Sequence, residues 1–439
     1  MSKKVVAKYG GTSMAQPEVV AEVFSKFPEQ KIIVVSAPGK DETTHQKMTD
    51  KLSDMVGASD SYFLDQRDEV IDRFLALYSS LGSQTLKELA DVSMDIIPLE
   101  AKLDRARILS AGEQLSAIFF SNLIEAEYEH PTILFDSCGC LIHEQTTRAI
   151  QRQLGSPRDS KTRVIPGFYG KDKMHRRHLL NRGGSDRTGA LYAAVLGWDY
   201  QNWTDSDGIK SADPRLVYAA KTIAEITRRE VREGAHGGSG VFQGDAIVDL
   251  NGSHLTVEVR NTFNPGGEWT KIVNTRVHDP GESVISVTGR QLVELIVDDL
   301  GMANSEGYLS GILDAAHDHG LSVQHVPSAQ DYVGITFANE NPAALEQLER
   351  HLQPSLLSSS GSISIENMGA VTLVGEQLKN PQVRTKTLLQ LAAAMTDRGF
   401  AVEDIVSNRM SPSLTVLVAP DTVDSLVKML HKEFIEAAV

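Results

Sequence analysis

Four short stretches bring together residue types that handle anions and charged small molecules. The first, Lys8-Tyr9-Gly10-Gly11-Thr12-Ser13, follows directly on the apolar run Val5-Val6-Ala7. The lysine supplies a mobile positive charge, the glycines let the backbone approach a bulky anion, and a helix start beyond them offers unpaired N–H groups. That is the make-up of a phosphate cradle, although a Gly-Gly pair after a strand also makes a plain turn. The second stretch is Asn181-Arg182-Gly183-Gly184-Ser185-Asp186. Here an arginine suited to bidentate grip of carboxylate or phosphate stands near an aspartate suited to an ammonium, with a helix N-cap at Ser185 or Asp186 as the alternative. The third, Trp203-Thr204-Asp205-Ser206-Asp207-Gly208, runs on to Ala212-Asp213-Pro214-Arg215. Its acids suit nucleotide hydroxyls or magnesium and Arg215 suits phosphate, or the segment is an Asp-Gly turn. The fourth, Ser110-Ala111-Gly112-Glu113, puts Glu113 at a helix start, where it stabilises the dipole or faces a ligand.

These stretches need elements to hold them. Up to about residue 275, short β-rich runs alternate with helical ones, the pattern of a parallel sheet covered by helices. Expected strands are Val5–Ala7, Lys31–Ser36, Thr132–Asp136, Arg163–Pro166, Asn202–Thr204 and Thr256–Arg260, and expected helices Pro17–Ser25, Gln66–Tyr78, Gln114–Glu127 and Arg187–Leu196. Almost every glycine-rich or charged motif falls just after a strand, the edge at which open α/β sheets bind ligands. After Thr275-Arg276-Val277-His278-Asp279-Pro280-Gly281 the pattern becomes strand, helix, strand, strand, helix, twice, at a spacing of about eighty residues. The units run from Gln291 to Leu352 and from Ala370 to Glu433, joined by the polar connector Ser355–Ser364. The expected organisation is a domain over 1–278 followed by two duplicated α+β modules, 279–365 and 366–439.

At 439 residues the chain exceeds one hydrophobic core, and its 41% hydrophobic and 23% charged content is that of a globular protein. A net charge of −15 argues against nucleic acid or a membrane surface as partner. With no long apolar run and no signal-peptide core, the expected location is the cytoplasm. The two cysteines, Cys138 and Cys140, fall short of a structural zinc set in number and spacing, so they are expected to be a reduced pair at a strand end, and no metal site is assigned.

Together, in order and spacing, the four stretches and Val34-Val35-Ser36-Ala37 resemble the aspartate kinases of the amino-acid kinase superfamily. That family opens with Lys-Phe-Gly-Gly-Thr-Ser and continues with Val-Val-Ser-Ala, Gly-Glu, Gly-Arg-Gly-Gly-Ser-Asp and Trp-Thr-Asp…Asp-Pro-Arg. The resemblance spans nearly the whole chain and implies a three-layer αβα kinase domain with a mainly parallel sheet, followed by two ferredoxin-like ACT domains. It implies transfer of the γ-phosphoryl of ATP, with Mg2+, to the side-chain carboxylate of L-aspartate, giving 4-phospho-L-aspartate. That is the first step towards lysine, threonine, methionine and diaminopimelate. Lys8 would neutralise the transferring phosphoryl as the catalytic cation, with the Gly10-Gly11 and Gly183-Gly184 amides around it. Arg182 would bind the substrate α-carboxylate, Glu113 with Asp186 its ammonium, and Thr49 would add a hydroxyl contact. Asp186 is also counted as catalytic. Ser36 would line the phosphate region, and Thr12, Ser185, Thr204, Asp205, Lys210 and Arg215 complete the ATP set.

The chain departs from the family at Gly238-Ser239-Gly240-Val241-Phe242-Gln243-Gly244, where Gly240 replaces a lysine that contacts ATP, leaving Lys210 or Lys221 as possible substitutes. By the same resemblance the ACT domains pair, giving a homo-oligomer, and bind an amino-acid effector, lysine or threonine. The matching residues are Met302, Asn304, Ser305, Gly307, Tyr308, Leu309, Val323 and Gln324, with Gln324 where lysine-inhibited relatives carry an aspartate. Two alternatives stay open, a catalytically weak amino-acid sensor on a kinase scaffold and a superfamily kinase for another carboxylate.

Overall fold

The protein is described from a computed structural model covering residues 4–40, 46–154, 161–181, 183–240, 242, 244–250, 252, 254–278, 281–338, 342–356 and 361–437. The chain divides into two compact units, one of Met1–Ile209, Thr222–Val231 and Val241–Arg276, the other of Lys210–Lys221, Arg232–Gly240 and Val277–Val439. The second unit thus takes two segments that precede residue 278, a membership with no local mark in the sequence.

The first unit begins β1 (Val5–Tyr9), α1 (Gly11–Met14), α2 (Pro17–Lys26), β2 (Gln30–Val35), α3 (Met48–Met55), α4 (Asp60–Leu77), α5 (Ser83–Ile96), α6 (Arg105–Leu109) and α7 (Ala111–Leu123). It continues with β3 (Glu127–Tyr128), α8 (His143–Leu154), β4 (Arg163–Pro166), β5 (Tyr169–Lys171), β6 (Arg177–Leu179), α9 (Gly184–Leu196) and β7 (Asp199–Thr204). After β8 (Glu225–Thr227), the helix α10 (Arg228–His236) carries the chain across the division, and α11 (Gly244–Asp249), β9 (Val257–Asn261) and β10 (Thr270–Val273) complete the unit. Eight strands form one sheet in the order β3-β4-β2-β1-β7-β9-β10-β8, parallel at every pairing but β9 with β10.

Helices lie on both faces, as a buried parallel sheet requires. On one face Ala7, Tyr9, Ile33, Val35 and Trp203 share a core with residues of α2, α3, α4, α5 and α7. On the other, α9 crosses Tyr200 so closely that a Cβ on Gly189 would stand 2.6 Å from its ring. Pro17 opens α2, where its missing N–H costs nothing, and the Ser59 hydroxyl caps α4.

Several expected elements differ, among them the helix expected from Gln66, which begins at Asp60, and two that change more. The helix expected over Gln114–Glu127 ends at Leu123, because Glu125 takes a left-handed backbone (φ 53°) and Glu127–Tyr128 joins the sheet edge beside β4. The strand expected over Thr132–Asp136 makes only isolated bridges, Leu134 with Lys171 and Phe135 with Leu141, since the chain turns back at Asp136.

The second unit is built on a six-stranded antiparallel sheet, from β11 (Ser286–Asp298), β12 (Val323–His325), β13 (Tyr332–Ala338), β14 (Ser362–Val374), β15 (Asp404–Ser407) and β16 (Ser413–Val418). The order is β12-β13-β11-β14-β16-β15, so the two repeats share one sheet through β11 and β14, paired from Ser286↔Val374 to Asp298↔Ser362. Helices α12 (Tyr308–Asp318) and α13 (Pro342–Leu356) cover the first half, α14 (Pro381–Asp397) and α15 (Val423–His431) the second. Ala212 and Val217 belong to the core of that second half.

Candidate active site

The C-terminal ends of β1 and β2, the starts of α3 and α7, and the start of α9 converge on one cavity of about 710 Å³. It is lined by Lys8, Gly11, Thr12, Ser36, Thr49, Glu113, Gly183, Gly184, Ser185 and Asp186, so ten of the residues selected from sequence come together. Arg182 lies outside the described residues.

The glycines are there because backbones meet. Gly11 packs on the loop after β2, its carbonyl accepting from Gly39 N–H at 2.7 Å, and a Cβ would stand 3.0 Å from the Ala37 carbonyl oxygen. Gly183, at φ 79°, turns the chain into α9. Gly112 serves a packing role, since a Cβ would sit 2.7 Å from that of Ala37, and this close approach brings Glu113 to the cavity.

A buried ion pair and a buried acid dominate the electrostatics. The Lys8 ammonium pairs with Asp186 Oδ1 at 2.6 Å, both side chains about nine-tenths buried. Lysine keeps rotatable donors beyond the one used in such a pair, so its charge still serves a second anion. Glu113 is buried, accepts the Ala37 N–H, and has no hydrogen-bond partner at Oε2. Burial pushes its pKa up to about 7, the Ala37 N–H opposing the rise.

Several contributors were not selected from sequence. Lys40 and Lys47 line the cavity, flanking the stretch between β2 and α3, and add two cations to Lys8. Phe168 lines it with a left-handed backbone (φ 75°), a conformation that costs energy for a bulky residue and concentrates at functional sites. Asn202, in register with Lys8 on the neighbouring strand, is buried with no hydrogen-bond partner on Oδ1 or Nδ2. Arg177 on β6 braces the start of α7, donating to Ser110 Oγ at 2.8 Å and Gln114 Oε1 at 2.5 Å.

Other selected residues lie elsewhere in the fold. Gly10 is held by its N–H to the Trp203 carbonyl (3.1 Å), and Thr204 donates to Asp205 (3.2 Å), none of the three among the lining residues. Lys210, Arg215, Lys221 and Gly240 belong to the second unit, where Arg215 pairs with Asp213 at 2.6 Å. Of the effector set, Met302 and Asn304 fall in a short 3-10 turn, with the Asn304 side chain outside the described residues. Ser305 donates to the Gly301 carbonyl, Gly307 (φ 78°) starts α12, and Leu309 is exposed on it. Tyr308 is buried and donates to Asp299 at 2.8 Å, an internal bracing contact. On β12, beside Val323, Gln324 accepts from Arg290 at 3.2 Å.

Comparison with known proteins places this geometry in context. The model of the amino acid kinase family matches residues 3–261. The chain is 26% identical over 460 residues to aspartokinase 3 of Bacillus subtilis (strain 168), covering 98% of each chain. It is 25% identical over 462 residues to the aspartokinase of Chlamydia pneumoniae, covering 99% of this chain and 98% of that one. Among solved structures, Clostridium acetobutylicum aspartate kinase superposes with a TM-score of 0.80 at 25% identity, over 98% of this chain and 100% of that one. Aspartokinase III of E. coli, solved with aspartate and ADP, shares the fold at a TM-score of 0.81 and 22% identity, over 98% and 99% of the two chains.

Proposed function

This chain belongs to the amino acid kinase family, and we propose that it is an aspartate kinase, transferring the γ-phosphoryl of ATP to the side-chain carboxylate of L-aspartate. The observation that carries the reading is the convergence of Lys8, Glu113, Asp186 and the glycine loops on one cavity. Similarity to aspartokinases over almost the whole chain supports it.

A carboxylic acid with a pKa of about 3.9 is ionised at neutral pH, so the nucleophile needs no general base. The task is to bring two anions together and to stabilise a loose phosphoryl transition state with cations and N–H donors. Lys8, held by Asp186, meets the transferring phosphoryl, and the Gly11, Gly183 and Gly184 amides surround it. Lys40 and Lys47 supply the further positive charge that Gly240 does not. Arg182 takes the substrate α-carboxylate, Glu113 and Asp186 its ammonium, and Thr49 hydrogen-bonds to it.

Among the described residues no three His, Cys, Asp or Glu side chains gather as a metal cage. Bound with the nucleotide, Mg2+ would neutralise part of the triphosphate charge, the ordinary manner of Mg2+ in phosphoryl transfer, while the lining residues hold the nucleotide. The duplicated modules 279–365 and 366–439 form the regulatory half, taking lysine or threonine and joining copies of the chain. No described helix is long and apolar enough to cross a membrane, and we place the enzyme in the cytoplasm at the entry to lysine, threonine and methionine synthesis.

Incubation with L-aspartate, Mg-ATP and hydroxylamine tests this, the expected product being aspartyl hydroxamate. No hydroxamate together with ADP release on another carboxylate would make it a different kinase of the family. Effector binding with no ATP affinity would make it a sensor, the reading that Gly240 favours.

A further inference from the structure

The Cys138-Gly139-Cys140 turn plays no part in the reaction above, and it holds two thiols two residues apart in the chain. Both cysteines are free and exposed. They lie at the tip of a short hairpin, closed by the Phe135–Leu141 bridge and by Asp136 N–H to the Cys140 carbonyl at 2.9 Å. The Asp136 carboxylate accepts both the Cys138 and Cys140 N–H groups, at 2.9 and 2.8 Å, and Gly139 between them has φ +82°. Residues two apart across such a kink hold their Cα atoms about 5–7 Å apart, a span that overlaps what a disulfide bridges.

We propose that Cys138 and Cys140 are a reversible dithiol–disulfide couple whose oxidation state tunes the acceptor side of the kinase site. A low-molecular-weight disulfide is the oxidant. One cysteine thiolate attacks it, forming a mixed disulfide and releasing one small thiol. The second cysteine thiolate then attacks the first cysteine's sulfur, closing the ring and releasing the other. Two electrons pass to the oxidant, and the two cysteine protons end on the released thiols. Exposed bonds closed over so short a loop are the labile ones, readily reduced again by thiols, as a couple in a reducing compartment must be.

The turn has a route to the site. A Cβ on Gly139 would lie 3.3 Å from His178 Nδ1, so the imidazole faces the turn. His178 stacks on Phe135, with centroids 5.4 Å apart, and reaches Asp172 at 3.2 Å. The adjacent Arg177 braces Ser110 and Gln114, on either side of Glu113. Closing the ring contracts the turn against His178 and shifts the strand that steadies Glu113. This coupling rests on the aspartate-kinase reading; the thiol chemistry does not.

Treatment with oxidised glutathione, followed by thiol titration, intact mass and kinetics, tests both halves. Expected are loss of both thiols, a monomer lighter by two hydrogens, reversal by dithiothreitol, and a KM for aspartate raised about threefold or more with little change in kcat. A Cys138→Ser/Cys140→Ser double variant should keep the reduced enzyme's KM in either condition. Stable glutathione adducts, cross-linked chains or unreacted thiols would overturn the couple, and equal KM values in both forms would overturn the tuning. Absence of aspartate kinase activity in the reduced protein would count against the function instead, with the thiol titration still deciding the couple.

Discussion

The two units differ in how many buried polar groups lack a partner among the described residues, although each also closes buried groups on one another, as Ser13 with Thr262 does in the first. In the second, they mostly close on one another. Asp299 accepts from both Tyr308 and Gly301, His431 reaches Ser211 on one side and Glu436 on the other, and Thr372 bonds Thr415, although Thr288 Oγ is left without a partner. In the first, Glu113 Oε2 and both polar atoms of Asn202 have no hydrogen-bond partner. An unsatisfied buried group costs about 1–3 kcal/mol, more for a charge, so the first unit gives up stability at Glu113, which lines the cavity, and at Asn202, in register with Lys8. The sheets differ accordingly: parallel strands β1, β2 and β7 end on one edge and collect their loops there, whereas the antiparallel sheet alternates its ends.

The largest expected effect that separates the two is Lys8→Ala. It should lower kcat by roughly 10²–10³-fold, as for other lost transition-state donors, while effector binding in calorimetry stays intact; unchanged turnover would remove Lys8 from the chemistry. Next is Glu113→Gln. With its pKa at about 7, kcat/KM for aspartate should rise with pH through that value, and the variant should lose this rise and raise KM for aspartate about tenfold. Stability moves the other way. A folded pKa above the usual carboxylate value of about 4.3 means the folded state binds the extra proton, so Glu113 destabilises progressively as pH climbs from about 4.3 to 7. Thermal melts at pH 8 should therefore show Glu113→Gln more stable than the parent, and equal or lower stability would remove the buried charge from the account.

Lys40→Ala combined with Lys47→Ala should raise KM for ATP several-fold with a smaller change in KM for aspartate; the reverse pattern would assign these lysines to the acceptor. The smallest effect on catalysis belongs to the second unit. Tyr308→Phe should cost about 1.5–3 kcal/mol in denaturant unfolding, the worth of one hydrogen bond to a charged group, and leave effector-free turnover unchanged.

Lys8 and Asp186 were legible because charge beside paired glycines is a local signal, whereas Glu113, at a helix start, reads equally as a dipole partner until the family resemblance gives it a ligand role. The duplicated modules were legible because their strands and helices repeat in order. Lys40 and Lys47 look like any surface lysines until β2 and α3 bring both to one opening. Phe168 gives no sign of its left-handed backbone, nor of a ring packed so close to Gly184 that a Cβ there would stand 2.8 Å from it. Asn202 reads as an ordinary strand residue, and only its register with Lys8 gives it interest. The ends of α7 and of the 132–136 segment were misjudged because both are set by partners far along the chain, β4 and the β5 hairpin.

Membership of Lys210–Lys221 in the second unit has a consequence for how the chain folds. Ser211 hydrogen-bonds to His431, 220 residues further on, and its carbonyl accepts from Val287. During synthesis that segment emerges long before the strands and the helix it packs with, so its apolar Ala212 and Val217 wait uncovered until the last helix is made. Closing so long a loop is slow, and the waiting interval is when the nascent chain is most open to aggregation or to chaperones. A chain stopped short of α15 would leave these residues exposed while their own part of the sequence is complete.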